Sequence, residues 1–177
     1  MDRYNKTKRL AMCGILTAAA LVLDGILKTP VNLFGMYALK LSLGMAPILF
    51  ISVRHGPVYG GICGALTDIL QAALFPVGAF NPLFTISAFV MGSVPGLFFT
   101  RNKAVTKFRL FVAVLCGQVL GSVILSTIFL MLSYGLPFQI IWARAIAQGI
   151  LIPVYTFIVW IGHAVENASM KVSTSQD

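Results

Sequence analysis

The sequence predicts an all-α membrane protein, a compact bundle of six transmembrane helices. Both termini are expected in the cytoplasm, and the second helix is expected to be short or partly re-entrant. Three observations lead there. Of 177 residues, 58% are apolar or aromatic and 10% are charged, with a mean hydropathy of +0.91. A soluble domain carries about 25% charge, and a chain of this size cannot enclose so much apolar surface in a water-soluble core. The apolar residues come in blocks near the ~20-residue length that crosses a bilayer, and they lack the period-2 alternation of a membrane barrel.

The blocks run Leu10–Leu27, Leu41–Val53, Pro57–Phe75, Pro82–Thr100, Leu110–Ser133 and Phe138–Val165. Breakers separate them: Thr29-Pro30, Arg54-His55-Gly56-Pro57, Pro76-Val77-Gly78, the basic run Arg101–Arg109, and Tyr134-Gly135-Leu136-Pro137. The second block is short for a full span; it either extends back into the preceding loop or crosses only part of the bilayer. One integral membrane domain covers 1–177, with a cytoplasmic arm over 1–9 and a polar tail over 167–177 expected to fray. The first block lacks a small-residue cleavage site and continues into more apolar chain, so it reads as a span and not as a cleaved signal.

Charge sets the orientation. With six spans the termini share a side, and Arg3, Lys6, Lys8, Arg9, Arg54, Arg101, Lys103, Lys107, Arg109 and Lys171 lie on it, against Lys28, Lys40 and Arg144 opposite. Ten against three puts the termini inside. The net charge of +8 is therefore a topology signal and not a nucleic-acid footprint. Cys13, Cys63 and Cys116 all fall in apolar blocks, an odd count that argues for packing and not for disulfides.

Catalytic patterns are missing. There is no G-x-x-x-x-G-K-[ST] and no H-E-x-x-H, and the five acids Asp2, Asp24, Asp68, Glu166 and Asp177 form no pair at metal-ligand spacing. No enzyme activity, metal or cofactor is expected.

What remains is a set of isolated polar groups in apolar helices, each costly at membrane depth. Asp68 lies about 18 Å along its helix from the Gly56 turn, just past the midplane toward the outside. Gln71 follows at i+3, and Gly60 and Gly64 precede at steps of four, so the whole stripe faces protein. Asp68 is either a ligand contact or a structural carboxylate bonded to neighbouring helices. Arg144 and Gln148, at i and i+4, either snorkel to headgroups or turn inward, where the Arg fork can take an anion. Lys40 is an exposed flank or a cavity-mouth cation. Asn81 before Pro82 fits a helix cap, and the same helix start aims its positive dipole end at the outer cavity. Phe80 stacks on a flat ring or packs at the interface, as Tyr37 in the long first outer loop can also do. Thr85 bonds a ligand or its own backbone. On the first helix, Ala11, Gly14 and Ala18 are small beyond what a six-helix monomer needs, which suggests a docking face for another membrane protein.

Leu39–Phe99 carries an ordered series of such features: Leu39-Lys40-Leu41-Ser42-Leu43-Gly44-Met45-Ala46-Pro47, Gly56-Pro57, Gly60, Gly64-Ala65-Leu66-Thr67-Asp68, Phe80-Asn81-Pro82-Leu83-Phe84-Thr85-Ile86 and Gly92-Ser93-Val94-Pro95-Gly96. This series resembles the substrate-binding S components of energy-coupling factor vitamin transporters, and their folate branch in particular. The chain departs from that branch at Lys40, where an Arg is usual, and at Leu83, where a Gly is expected.

The resemblance implies a bacterial plasma-membrane subunit that binds a vitamin, folate first, with high affinity in a pocket open to the outside. Such a subunit docks on a transmembrane coupling subunit carrying two ATPases and releases the vitamin inside. ATP is used by the partners and not by this chain. The chemistry suits folate: the pterin amide and amino groups match Asp68, Asn81 or Gln71, its ring suits Phe80 or Tyr37, and its dianionic tail suits Lys40 and Arg144. The alternatives are an S component for another vitamin such as pantothenate, or a ligand-free scaffolding subunit.

Overall fold

The computed structural model describes residues 2–27, 29–33, 36–41, 43–75, 80–100, 105–135, 138 and 140–174, and side chains over 7–25, 43–75, 80–100, 105–133, 135, 138, 141–142, 144–166 and 168. Its helices are α1 (Asp2–Leu27), α2 (Met45–His55), α3 (Pro57–Leu74), α4 (Pro82–Leu97), α5 (Lys107–Gln118), α6 (Ser126–Tyr134) and α7 (Ile140–Thr174). A π-helical segment, Val119–Leu125, joins α5 to α6 without a break, so the seven helices form six rods. Two rods, Lys107–Ser133 and Arg144–Glu166, are long and apolar enough by themselves to cross a membrane.

Three expectations are corrected. The segment after α1 is not a plain loop: Thr29–Leu33 (β1) and Met36–Leu41 (β2) form an antiparallel hairpin with Thr29 opposite Leu41 and a register shift between Val31 and Leu33. Thr, Val and Tyr suit an extended backbone, but each strand is too short for a clear alternation. The second helix starts at Met45 and not at Leu41, because Leu41 belongs to β2. And the last helix does not end at Val165: α7 runs on to Thr174.

The short α2 sits at the centre. Eleven residues rise only about 16 Å, half a bilayer, but its Ile48, Leu49 and Ile51 are all buried and it contacts α1, α3, α4 and α7. Enclosed on every side, it meets little lipid, and its length is not set by the hydrocarbon. Gly56, at φ +98°, turns it directly into α3, a backbone region that side-chain-bearing residues rarely adopt. The core here joins Ala46, Leu49 and Val53 of α2 to Leu110 and Val114 of α5 and to Leu151, Ile152, Tyr155 and Val159 of α7. At this end of the bundle Arg54 pairs with Glu166 at 2.9 Å, tying α2 to α7.

Along one antiparallel seam α3 and α4 come close enough to touch backbone to backbone. A Cβ on Gly60 or Gly92 would strike the other's carbonyl oxygen, one on Gly64 would lie 2.5 Å from the Ala88 carbonyl, and one on Gly96 would lie 2.6 Å from the Pro57 nitrogen. The glycine stripe read from the sequence thus faces protein, and its partner is the matching stripe on α4.

Candidate functional site

The polar side chains singled out in the sequence lie in the half of the bundle nearer the hairpin, and they occupy separate links between helices. On the α3–α4 seam, one rung beyond Gly64 and Ala88, Thr85 Oγ1 donates to Asp68 Oδ2 at 2.8 Å. Asp68 is partly exposed, and the bond from Thr85 falls on its Oδ2.

Gln71 is turned elsewhere. Its Nε2 donates to Asp24 Oδ2 on α1, and Asp24 Oδ1 accepts the Gly44 N–H at 2.8 Å. Asp24 and Gln71 are 5% and 8% exposed. The buried carboxylate therefore binds α1, α3 and the start of α2 together. Sequence reasoning gave Asp24 no role. The signal was there, a lone acid deep in an apolar helix, but the acceptor for Gln71 is 47 residues away in the chain and only packing reveals it.

Asn81 caps α4. Its Oδ1 accepts the Leu83 N–H at 3.1 Å, and its Nδ2 donates to Ser133 Oγ at 2.6 Å, fastening α4 to α6. Phe80 beside it is more than half exposed. Tyr37 and Lys40 lie in β2, and their side chains fall outside the described residues.

Arg144 and Gln148 converge on the π-helical segment. Arg144 donates through one terminal guanidinium nitrogen to the Ser122 carbonyl at 2.9 Å, and Gln148 Nε2 donates to Ser122 Oγ at 2.8 Å. A π turn displaces carbonyls from the usual ladder and leaves them for side chains. The neighbouring Gly121 carbonyl accepts the hydroxyls of Ser87, at 2.5 Å, and Ser126, at 3.0 Å. Arg144 Nε, Gln148 Oε1 and the amide nitrogen of Gln118, one turn before Ser122, are buried with no hydrogen-bond partner among the described residues. Buried polar atoms ordinarily find a hydrogen-bond partner, and Ser52, Ser93, Thr127 and Glu166 each carry a further such atom among the described residues. Ser122, Gln118 and the π segment were missed in the sequence, because nothing in Val-Leu-Gly-Ser-Val-Ile-Leu marks a departure from α geometry.

On α1, Cys13, Thr17, Ala20 and Asp24 face the bundle while Ala11, Gly14 and Ala18 are exposed, and a Cβ on Gly14 would meet nothing within 4 Å. The small-residue stripe is thus an outward face.

Comparison with known proteins decides what this arrangement belongs to. The family described as "ECF transporter, substrate-specific component" matches residues 8–170. The chain is a member of that family. As an S component it is a membrane transport subunit and not an enzyme. It is similar to the folate transporter FolT of Clostridium novyi (strain NT), 32% identical over 69% of this chain and 71% of that one. It is also similar to the thiamine transporter ThiT of Bacillus subtilis (strain 168), 32% identical over 70% of this chain and 68% of that one. Among solved structures, FolT bound with folic acid superposes with a TM-score of 0.72 at 30% identity, covering 87% of this S component and 91% of that chain.

Proposed function

We propose that this S component binds folate from the outside and delivers it to an ECF-type importer in the bacterial plasma membrane, with both termini in the cytoplasm. The reading is carried by the Arg144–Gln148–Ser122 cluster: a guanidinium held by one bond, with a buried Nε and a buried amide oxygen still unpaired beside it. A forked cation in that state suits a carboxylate, and folate ends in two. The carboxylate of the partly exposed Asp68 suits the pterin, whose ring N–H and amino group lie side by side as donors. The similarity to FolT, including the structure bound with folic acid, supports folate as the ligand. The similarity to ThiT favours a second vitamin for consideration, but thiamine is a cation and Arg144 opposes it. Pantothenate, with one carboxylate, remains the competitor within the class.

These polar links face outward in this reading because the ten basic residues of the opposite side belong in the cytoplasm. Gln71 and Asn81 then act as positioning groups for the site. The outward α1 face of Ala11, Gly14 and Ala18 docks on a transmembrane coupling subunit, whose two ATPases use the ATP.

A binding titration on detergent-purified protein tests the proposal. Folate is expected to bind below micromolar concentration, with binding lost in Asp68→Ala and weakened at least about ten-fold in Arg144→Ala. Micromolar or weaker folate binding, alongside tight binding of pantothenate or thiamine, overturns it. For the docking face, Gly14→Leu is expected to keep folate binding while losing co-purification with the coupling subunit.

A further inference from the structure

Away from these polar links, a groove of about 400 Å³ opens between the start of α5 and the middle of α7. Phe108 and Phe111 form one wall, Pro153, Phe157 and Trp160 the other, and Lys107 stands at one end. Phe108 and Phe157 are 76% and 62% exposed, so these two rings are not covered by the other described residues. Pro153 shapes the groove: it sits inside α7, and its ring cannot donate to the preceding turn.

The cation at the groove's end is free to act on a ligand. Lys107 Nζ lies 4.2 Å from the Trp160 ring centroid, and among the described residues it has no carboxylate partner, since Glu166 pairs with Arg54. The neighbouring Arg109 is committed, with one nitrogen on the Phe98 carbonyl and its guanidinium over the Phe99 ring. Lys107 also heads α5, where the helix dipole adds positive potential. Both flanking rods are long and apolar enough to cross a membrane, so the groove opens onto hydrocarbon.

From this we infer a binding site for one anionic phospholipid of the surrounding bilayer. An acyl chain lies between the aromatic walls, and the headgroup phosphate meets the Lys107 ammonium over Trp160. An apolar, concave floor with a cation at its rim that has no carboxylate partner among the described residues matches a lipid's own division into tail and charged head. Under the orientation proposed above the site belongs to the cytoplasmic leaflet, but its existence does not depend on folate being the cargo.

Trp160 reports on occupancy. In the Trp142→Phe variant it is the sole tryptophan of the chain, which otherwise has two. That protein, purified in mild detergent, is titrated with phosphatidylglycerol or phosphatidylcholine brominated on the acyl chains, and quenching of Trp160 is followed. Half-quenching is expected at about five-fold lower mole fraction of phosphatidylglycerol, the effect of one cation on an anionic headgroup, and the ratio is expected to shrink as salt rises. Lys107→Gln is expected to bring the ratio to about one, while Lys8→Gln, exposed on α1, leaves it at five. Thr156→Phe, which fills the groove from α7, is expected to weaken quenching by both lipids. Equal quenching by the two lipids, or a loss in Lys8→Gln as large as in Lys107→Gln, overturns the inference.

Discussion

Thr85 on α4 donates its hydroxyl to Asp68 on α3 at 2.8 Å, at the rung where the glycine seam between these helices ends. Below it the two backbones touch; at it, two side chains meet instead. The carboxylate of this partly exposed residue is therefore aimed by its neighbour. Asp68→Asn is expected to weaken folate binding at least about ten-fold, because an amide presents a donor where the pterin presents donors too. Thr85→Val frees the carboxylate and is expected to cost less. Calorimetric titration of both single variants and the double variant is expected to show a coupling of about 0.5–3 kcal/mol. Strict additivity would mean that Thr85 does not position Asp68.

The same seam sets a stability prediction. Gly92→Ala places a methyl against the Gly60 carbonyl, and backbone on both sides cannot yield cheaply. Overpacking of this kind costs about 1–3 kcal/mol, or roughly 3–10 °C in thermal midpoint. Gly14→Ala, on the open face of α1, is expected to leave the midpoint unchanged or slightly raised. Thermal unfolding in detergent, followed by cysteine-reactive dye, distinguishes the two.

Asp24 is expected to matter for stability more than for ligand. Asp24→Ala strands the Gly44 N–H and the Gln71 amide in a buried site, at about 1–3 kcal/mol for each group. Asp24→Asn keeps an acceptor for Gly44 and is expected to lose less than half as much. The thermal midpoints of the three proteins give the order wild type, Asn, Ala; an Ala variant as stable as wild type would show that Asp24 does not hold α1 to α2 and α3.

At the π segment, charge and shape separate. Arg144→Lys keeps the positive charge but loses the planar fork, and folate affinity is expected to fall about ten-fold. Ser122→Ala removes the acceptor for Gln148 Nε2 but not the carbonyl that takes Arg144, and a drop of about two- to ten-fold is expected. Equilibrium binding of folate to the two variants checks both. Full affinity in Arg144→Lys would mean that the tail is held by charge alone.

The chain's own letters determined the bilayer setting, the six rods, the inward glycine stripe and the polar residues that had to find partners. Those follow from local composition and period: an apolar block, a Gly every fourth residue, or an Asp amid leucines carries its meaning wherever it lies. Which partner each polar group found was decided only by the tertiary structure. Gln71 turned to Asp24 and not to the Asp68 side of its helix, Arg144 and Gln148 met at Ser122, and Asn81 reached Ser133, each across 22 to 52 residues of chain. The hairpin after α1 and the π turn were equally illegible, the first because its strands are too short to show a period, the second because a π turn is fixed by neighbours that claim its carbonyls. Burial makes a partner obligatory, but packing alone selects it.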